Sequence, residues 1–339
     1  MVAYPTLTTL AQNTGQTEII NAMIQHSPTL GAMPITAANR HDHNVADYVV
    51  KMGTAEFRAF NEGVGVSTNE YRQTKEYMAM LLGYSEVDWE MILKSPPHIQ
   101  SRELSKQRDT HIEGIGDKLS DAFWYGNSLT DARKFDGMTI RYNSKSDNLF
   151  GKQIIDAGGT GSDNTSIWLL GLGKGCKLIH PPGVQTGGGV RGLDTGTKLV
   201  SVSADGDGLG VTIKQENGKM HQIFRHQYKA DIGLNIDDWR YNVRIANIDV
   251  SNLNNDASGS SADLIDLLEK ARLQMFNFTG IRPVFVMHRN IQSVIKSQAR
   301  NFKSAAIDTM EIMNTKTDGY SGIPFMIDDK LSLTEPQVT

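Results

Sequence analysis

"DAFWYGNSLTDARKFDGMTIRYN", residues 121–143, is the stretch on which the fold turns. A helical run ends in the aromatic cluster Phe123, Trp124 and Tyr125, stops at Gly126, crosses a polar segment and resumes at "FDGMTIRYN". Catalytic and metal sites need particular residue types at fixed spacing, and no such constellation reads this way. The pattern is that of a joint: large side chains anchor the end of a helix and a glycine sets where the chain leaves it. Phe123, Trp124 and Gly126 are the residues expected to form that hinge.

Upstream lies the clearest helix of the chain, "HIQSRELSKQRDTHIEGIGDKLSDAFWYG". Leu104, Ile112, Ile115, Leu119, Ala122 and Phe123 form one apolar stripe, while Arg102, Lys106, Asp109, Glu113 and Asp117 occupy the opposite face. From His98 to Tyr125 it would run roughly 40 Å at about 1.5 Å per residue. Gly126 stands where a C′ glycine ends a helix, and Gly114 and Gly116 weaken its middle. Pro96 and Pro97 separate it from "SEVDWEMILKS", a shorter helix with Ser85 as its expected N-cap and Trp89, Ile92 and Leu93 on one face.

Residues 46–84 change character. "ADYVVKMGTAEFRAF" and "TNEYRQTKEYMAMLLGY" are rich in β-branched and aromatic residues and flank the turn material "NEGVGVS". They predict a long two-stranded ribbon. Such a ribbon is marginal by itself, so it should lean on another body, for which a second copy of the chain is one candidate. Residues 1–45 read as an extended arm with one short helix in "TGQTEIINAMIQHS". Residues 135–250 read mostly as strands, including "SIWLLGLG", "MHQIFRHQYKADIGLNI" and "RYNVRIANIDV", around the Gly-rich loop "HPPGVQTGGGVRGLDTG". The remainder switches to α/β. It holds a helix in "SADLIDLLEKARLQM" capped by Ser261 or Asp263, a buried strand "RPVFVMH", a helix "NIQSVIKSQARN", and a turn into a strand in "GYSGIPFMIDD".

Composition narrows the function. The 339 residues are 39% hydrophobic with a formal net charge of −4, a pI near 6.1 and a mean hydropathy of −0.35. A dedicated nucleic-acid binder carries a basic excess that is missing here. The lone cysteine, Cys176, permits no internal disulfide and suits a reducing compartment. The first residues, "MVAYPTLTTLAQ", lack the pattern of a secretion signal, and the longest apolar runs are too short to span a bilayer. A soluble protein made in a cytoplasm is expected.

The candidate chemical sites each favour a plainer reading. Gly171, Gly173 and Gly175 follow a strand, but "CKLIHPPGV" after them cannot open a phosphate-binding helix, so a turn is expected. Asp205 and Asp207 lack the further oxygen ligands of a calcium loop. Cys176 with His180 shows no oriented third group. His41, His43, His221 and His226 lack metal-site spacing. Asp237 and Asp238 are adjacent, and neighbours on a strand point to opposite faces, so they read as a turn before Trp239. No catalytic, cofactor or metal residue is expected. A long chain with a ribbon, an arm, a long helix and no chemical constellation points to an assembly protein.

The ordered stretches "FRAFNEGVG", "LLGYSEVDWEM", "DAFWYGNS" with "FDGMTIRYN", "SIWLL", "DIGLNIDDWRYNVRIANID" and "GYSGIPFMIDD" resemble the major capsid proteins of tailed phages, in the short-tailed branch of the Hong Kong 97 capsid fold. The resemblance implies an α+β subunit. Residues 1–45 would be its N-terminal arm, 46–84 its E-loop hairpin, and 98–125 its spine helix. That helix lies within a peripheral domain of residues 85–250, and 251–339 would form the axial domain. The β-rich segment directly after the spine helix is compatible with a rearranged strand order. The implied function is self-assembly into hexamers and pentamers of an icosahedral head enclosing double-stranded DNA, with assembly in the bacterial host cytoplasm and the virion as destination. Inter-subunit contacts would fall on Phe57, Arg58 and Phe60 on one ribbon strand and Tyr71, Arg72 and Tyr77 on the other. Implied partners are other copies, a scaffold protein and a portal protein, with room for a decoration protein. Packaged DNA would be touched only weakly and non-specifically, and no membrane or cofactor is implied. The lysine, asparagine and carboxylate of the founding fold's cross-link have no match here, so no self-cross-linking is expected. A non-viral encapsulating shell of the same fold and a nucleotide-binding enzyme are the alternatives.

Overall fold

The computed structural model describes residues 27–146, 149–182, 200–204, 211–216, 219–254, 261–301, 307–312 and 315–339. Most of the expected arm, its short helix before Ser27, most of the Gly-rich loop and the turn at Asp205 and Asp207 lie outside those residues. In chain order come α1 (Pro28–Ala32), β1 (Ile35–Ala37), β2 (His43–Lys51), β3 (Glu70–Asp88), α2 (Trp89–Lys94), α3 (Pro97–Tyr125) and α4 (Met138–Arg141). They are followed by β4 (Ile154–Asp156), β5 (Asn164–Leu172), β6 (Lys177–His180), β7 (Val200–Ala204), β8 (Val211–Glu216), β9 (Lys219–Asn235) and β10 (Asn242–Asp249). The last elements are α5 (Leu264–Gln274), β11 (Arg282–Met287), α6 (Arg289–Asn301), β12 (Ile307–Ile312), β13 (Thr315–Tyr320) and β14 (Ile323–Ile327).

Two sheets organise the molecule. The first runs β1-β6-β9-β3-β2, with β7 and β8 also pairing with β9; the second runs β12-β13-β14-β11-β5-β10-β4. Strand β5 explains its own sequence. Every residue from Asn164 to Leu172 is buried. Successive side chains on a strand point to opposite faces. Trp168, Leu170 and Leu172 join the core under α3 and β9. Ile167 and Leu169 join the core under α5 and α6. A strand buried on both faces reads as an unbroken apolar run rather than an alternating one. The second sheet therefore draws β5 and β10 from before residue 250 and β11 and β14 from after it. A boundary at residue 250 cuts through this sheet.

The long helix runs Pro97–Tyr125, and Ile112, Leu119 and Phe123 bury its apolar stripe. Several local expectations are corrected. Ser85 does not cap α2: it sits buried in β3 with its hydroxyl 3.0 Å from that of Tyr228, and Asp88 caps the helix instead. Within "FDGMTIRYN", at the start of the region read mostly as strands, Met138–Arg141 form the short helix α4. Asp263, not Ser261, caps α5, accepting from the amides of Ile265 and Asp266. Phe57, Arg58 and Phe60 do not lie on a strand, because β2 ends at Lys51 and β3 begins at Glu70.

Gly126 does stop α3, but not through a left-handed turn: its φ is −57° and its ψ 137°. The constraint is space. A Cβ there would lie 2.3 Å from the Phe135 carbonyl oxygen and 2.4 Å from that of Ala122. The Gly137 amide donates to the Gly126 carbonyl at 2.9 Å, locking the two segments together. Gly126→Ala forces a backbone shift and is expected to cost about 1–3 kcal/mol. The check is a lower urea midpoint for the dispersed subunit with an unchanged denaturant slope.

Candidate inter-subunit surface

The hinge residues meet a network that the sequence did not reveal. Phe123 and Trp124 are fully buried and stand edge to face at 4.7 Å between ring centroids. The Trp124 indole donates to Asp328 Oδ2 at 3.1 Å, and the Ser27 hydroxyl donates to the same oxygen at 3.0 Å. Thr139 donates to the Trp124 carbonyl at 2.5 Å, so the helix end, α4, the start of the described chain and the loop after β14 converge. Burial pushes the Asp328 carboxyl above the ordinary carboxylate range, partly offset by the hydrogen bonds it accepts.

A second buried centre lies alongside. The Arg244 guanidinium pairs with Glu335 at 2.8 Å, donates to the Tyr142 carbonyl at 2.6 Å and to Ser166 Oγ at 3.0 Å. Its carbon sits 5.1 Å from the centroid of the Trp168 ring. Glu335 also accepts from the Tyr125 hydroxyl at 2.7 Å and from Ser166. Burial and the neighbouring Glu335 charge push the Tyr125 phenol upward.

From this rigid body the ribbon projects. Arg141 of α4 grips Glu76 of β3 through two hydrogen bonds of 2.6 and 2.5 Å, with only 11% and 6% of the two side chains exposed. Beyond that clamp, β2 and β3 pair antiparallel from His43 with Tyr77 to Lys51 with Glu70. Every residue from 51 to 73 is exposed. The tip is shaped by Gly53 N donating to Asn69 at 2.6 Å, Ser67 donating to the Thr54 carbonyl at 2.7 Å, and Ala59 N donating to Glu62 at 2.9 Å. The structure places Phe57, Arg58 and Phe60 on this tip and Tyr71, Arg72 and Tyr77 on β3. Phe57 and Phe60 are completely bare. Tyr77 finds some support within the ribbon, 5.6 Å from the His43 ring.

Further down β3 the faces separate. Ala79 and Leu81 pack toward the core, while Met80, Leu82 and Tyr84 point outward with 63%, 49% and 52% exposure. Sequence reasoning missed this stripe because "MAMLLGY" is apolar on both faces and hides the alternation.

The remaining candidates resolve as turns and structural pairs. Residues 173–175 make the turn between β5 and β6, with Gly173 at φ +117°. The Cys176 thiol is buried and pushed upward by desolvation. His43 bonds Asp42 at 2.7 Å. Asp238 caps the 3-10 turn Trp239–Tyr241, and Asp237 instead pairs with Lys177 at 2.6 Å. Among the described residues no group of His, Cys, Asp or Glu could hold a metal ion, and no helix is long and apolar enough to cross a membrane.

A two-sheet body with a clamped, projecting, apolar-tipped ribbon defines a shell-building subunit, and solved structures agree on the fold. A structure of bacteriophage Epsilon15 is similar at 24% identity and a TM-score of 0.63, over 90% of this chain and 87% of that one. The capsid of bacteriophage JBD30 is similar at 8% identity and a TM-score of 0.50, over 90% of each chain. No curated protein matches. The family described as "Major capsid protein GP7" matches residues 11–339, and the chain belongs to it. It is a tailed-phage major capsid protein of the Hong Kong 97 fold, a structural component of the virion shell that assembles with copies of itself.

Two measurements probe the buried centres. Glu335→Ala leaves Arg244 buried without its counter-charge and should cost about 3–5 kcal/mol, read as loss of soluble subunit or a steep fall in melting temperature. For Asp328, the raised folded-state pKa means the folded chain retains a proton that the unfolded chain has released above its ordinary value of 3.8. Stability should therefore fall as pH rises through that window. Melting temperatures across a pH series should show wild type losing ground to Asp328→Asn, whose side chain does not ionise, as pH increases.

Proposed function

We propose that the chain forms hexamers and pentamers that close into an icosahedral head around double-stranded DNA, with the ribbon laid over a neighbouring copy. The observation that carries this reading is the exposed stretch 51–73 with its bare Phe57 and Phe60. A soluble chain gains nothing from holding such side chains in water on a clamped support unless another surface receives them. Arg58, Tyr71, Arg72 and Tyr77 flank them and belong to the same contact in this reading.

The long helix α3 and the first sheet serve as the peripheral domain, and the second sheet with α5 and α6 serves as the axial domain around the capsomer axis. β5 and β10 then belong to the axial side. Residues 1–45 act as the arm and 46–84 as the E-loop, each joined to the peripheral domain through the strands β1, β2 and β3 that it contributes to the first sheet. A separate scaffold protein guides closure, a portal protein occupies one vertex, and a decoration protein is a further partner to be sought on the outer face. The net charge of −4 suits a container that touches DNA only weakly, since strong phosphate contacts need clustered cations. The subunit acts as a building block and not as an enzyme, and it assembles in the bacterial host cytoplasm.

Electron microscopy of the protein expressed alone and with its neighbouring genes tests the reading: uniform shells or capsomer rings support it, and a dispersed monomer under every condition sinks it. Phe57→Ser with Phe60→Ser should leave subunit stability within about 0.5 kcal/mol, as surface changes usually do, while closed shells disappear from the micrographs. Normal shells from that variant would remove the tip from the assembly contact.

A further inference from the structure

Met80, Leu82 and Tyr84 form an apolar stripe at every second residue on the outward face of β3. On a sheet with one face in water these positions are ordinarily polar. Their cross-strand partners on β9 are polar: Asp231, Lys229 and Gln227. Two ion pairs frame the stripe, Lys229 with Asp231 at 2.9 Å and Arg225 with Glu86 at 2.8 Å. The face is thus an apolar track bordered by both signs of charge. The ribbon tip carries the matching set: Phe57 and Phe60 bare, with Glu56, Arg58 and Glu62 beside them.

We infer that the Met80–Leu82–Tyr84 stripe is the seat for the ribbon tip of a second copy of this chain, with Phe60 placed against Leu82. This rests on the shell reading above and names the receiving surface for it.

Reach decides against the chain's own tip. Glu70, where the tip joins the paired strands, lies about 40 Å from Leu82 along β3 at ~3.3 Å per residue. Even folded straight back, the segment from Glu70 to Phe60 spans at most about 36 Å. A compact chain of this length has a radius of gyration near ~20 Å, hence a width on the order of 50 Å. A projection of about 40 Å is therefore comparable to one subunit repeat. A tip that meets the equivalent strand of the next copy makes a head-to-tail contact, the kind that closes rings when the rotation permits.

Leu273, Phe276 and Phe278, exposed among the described residues, make a poorer seat. Phe276 is already engaged, with the Arg240 guanidinium 4.1 Å from its ring centroid and Tyr241 edge-on at 5.9 Å.

Cysteine pairing tests the inference cleanly, because the native Cys176 is buried. Full-length Phe60→Cys with Leu82→Cys is assembled into shells, oxidised and run on a non-reducing gel, with Phe57→Cys with Tyr84→Cys as a second pair should the first fail to assemble. The expected result is a ladder of covalent multimers beyond the dimer, absent from single-cysteine variants, together with loss of maleimide labelling of Leu82→Cys on assembly. Closed shells with no ladder from either pair would overturn it. So would a ladder from Phe60→Cys with Leu273→Cys instead, or a disulfide within one chain. Protection of Leu82→Cys only when a scaffold or decoration protein is bound would hand the stripe to that protein and overturn it too. If the unmodified chain forms no shells at all, the shell reading fails, and the inference with it.

Discussion

The ion pair between Arg244 and Glu335 sits where the long helix, the second sheet and the final segment of the chain meet. Arg244 lies on β10, Glu335 on the final segment, and their partners come from β5 through Ser166, from the end of α3 through Tyr125, and from the chain after α4 through the Tyr142 carbonyl. Burying two charges costs several kcal/mol per ion unless their remaining hydrogen-bonding capacity is met. Here it is met by hydroxyls and a carbonyl, and the Trp168 ring lies beside the guanidinium. The pair has low tolerance for displacement, so it fixes the end of the long helix relative to the second sheet.

That fixation gives the rest of the fold its division of labour. With α3 held at its C-terminal end by Trp124, Asp328 and the close fit of Gly126 against Phe135, the first sheet has a rigid back. β3 packs against that back through Ala79 and Leu81 and then runs on beyond it. The clamp between Arg141 and Glu76 marks where support by the body ends. Past this point the ribbon has no core of its own. The energy that keeps it extended comes from β pairing at its base, not from burial at its tip. The tip's large apolar side chains, Phe57 and Phe60, take no part in the core of the body.

Two cores share one strand. β5 sends Trp168 and Leu170 into the core under α3 and Ile167 and Leu169 into the core under α5 and α6. A movement of the helix end is thereby felt on both sides of the second sheet, because packed interiors transmit strain instead of absorbing it. The two sheets share one core, in which Trp168 and Leu170 of β5 lie with Tyr228 and Ile232 of β9, although they differ in strand order.

By itself the sequence determined the features that are local. The stripe from Ile112 to Phe123 announced the long helix, Gly126 announced its end, and the β-branched and aromatic residues on either side of a Gly-rich turn announced the ribbon. The ordered motifs from "FRAF" to "GIPFMIDD" carried the family resemblance and with it the fold. Asp238 read correctly as a turn residue because a capping carboxylate acts within a few residues of itself, whereas the pairing of Asp237 with Lys177, 60 residues away, was not legible. What only tertiary structure decided involves partners far apart in the chain. Arg244 and Glu335 are 91 residues apart, and Trp124 and Asp328 are 204 apart; no periodicity links them. The membership of β5 and β10 in the second sheet was hidden for the same reason. Gly126 was seen, but for the wrong cause, since its constraint is the approach of the Phe135 carbonyl and not its own φ. The outward stripe on β3 escaped notice because an apolar run has no visible alternation: which of its two faces meets water is settled by what packs behind it.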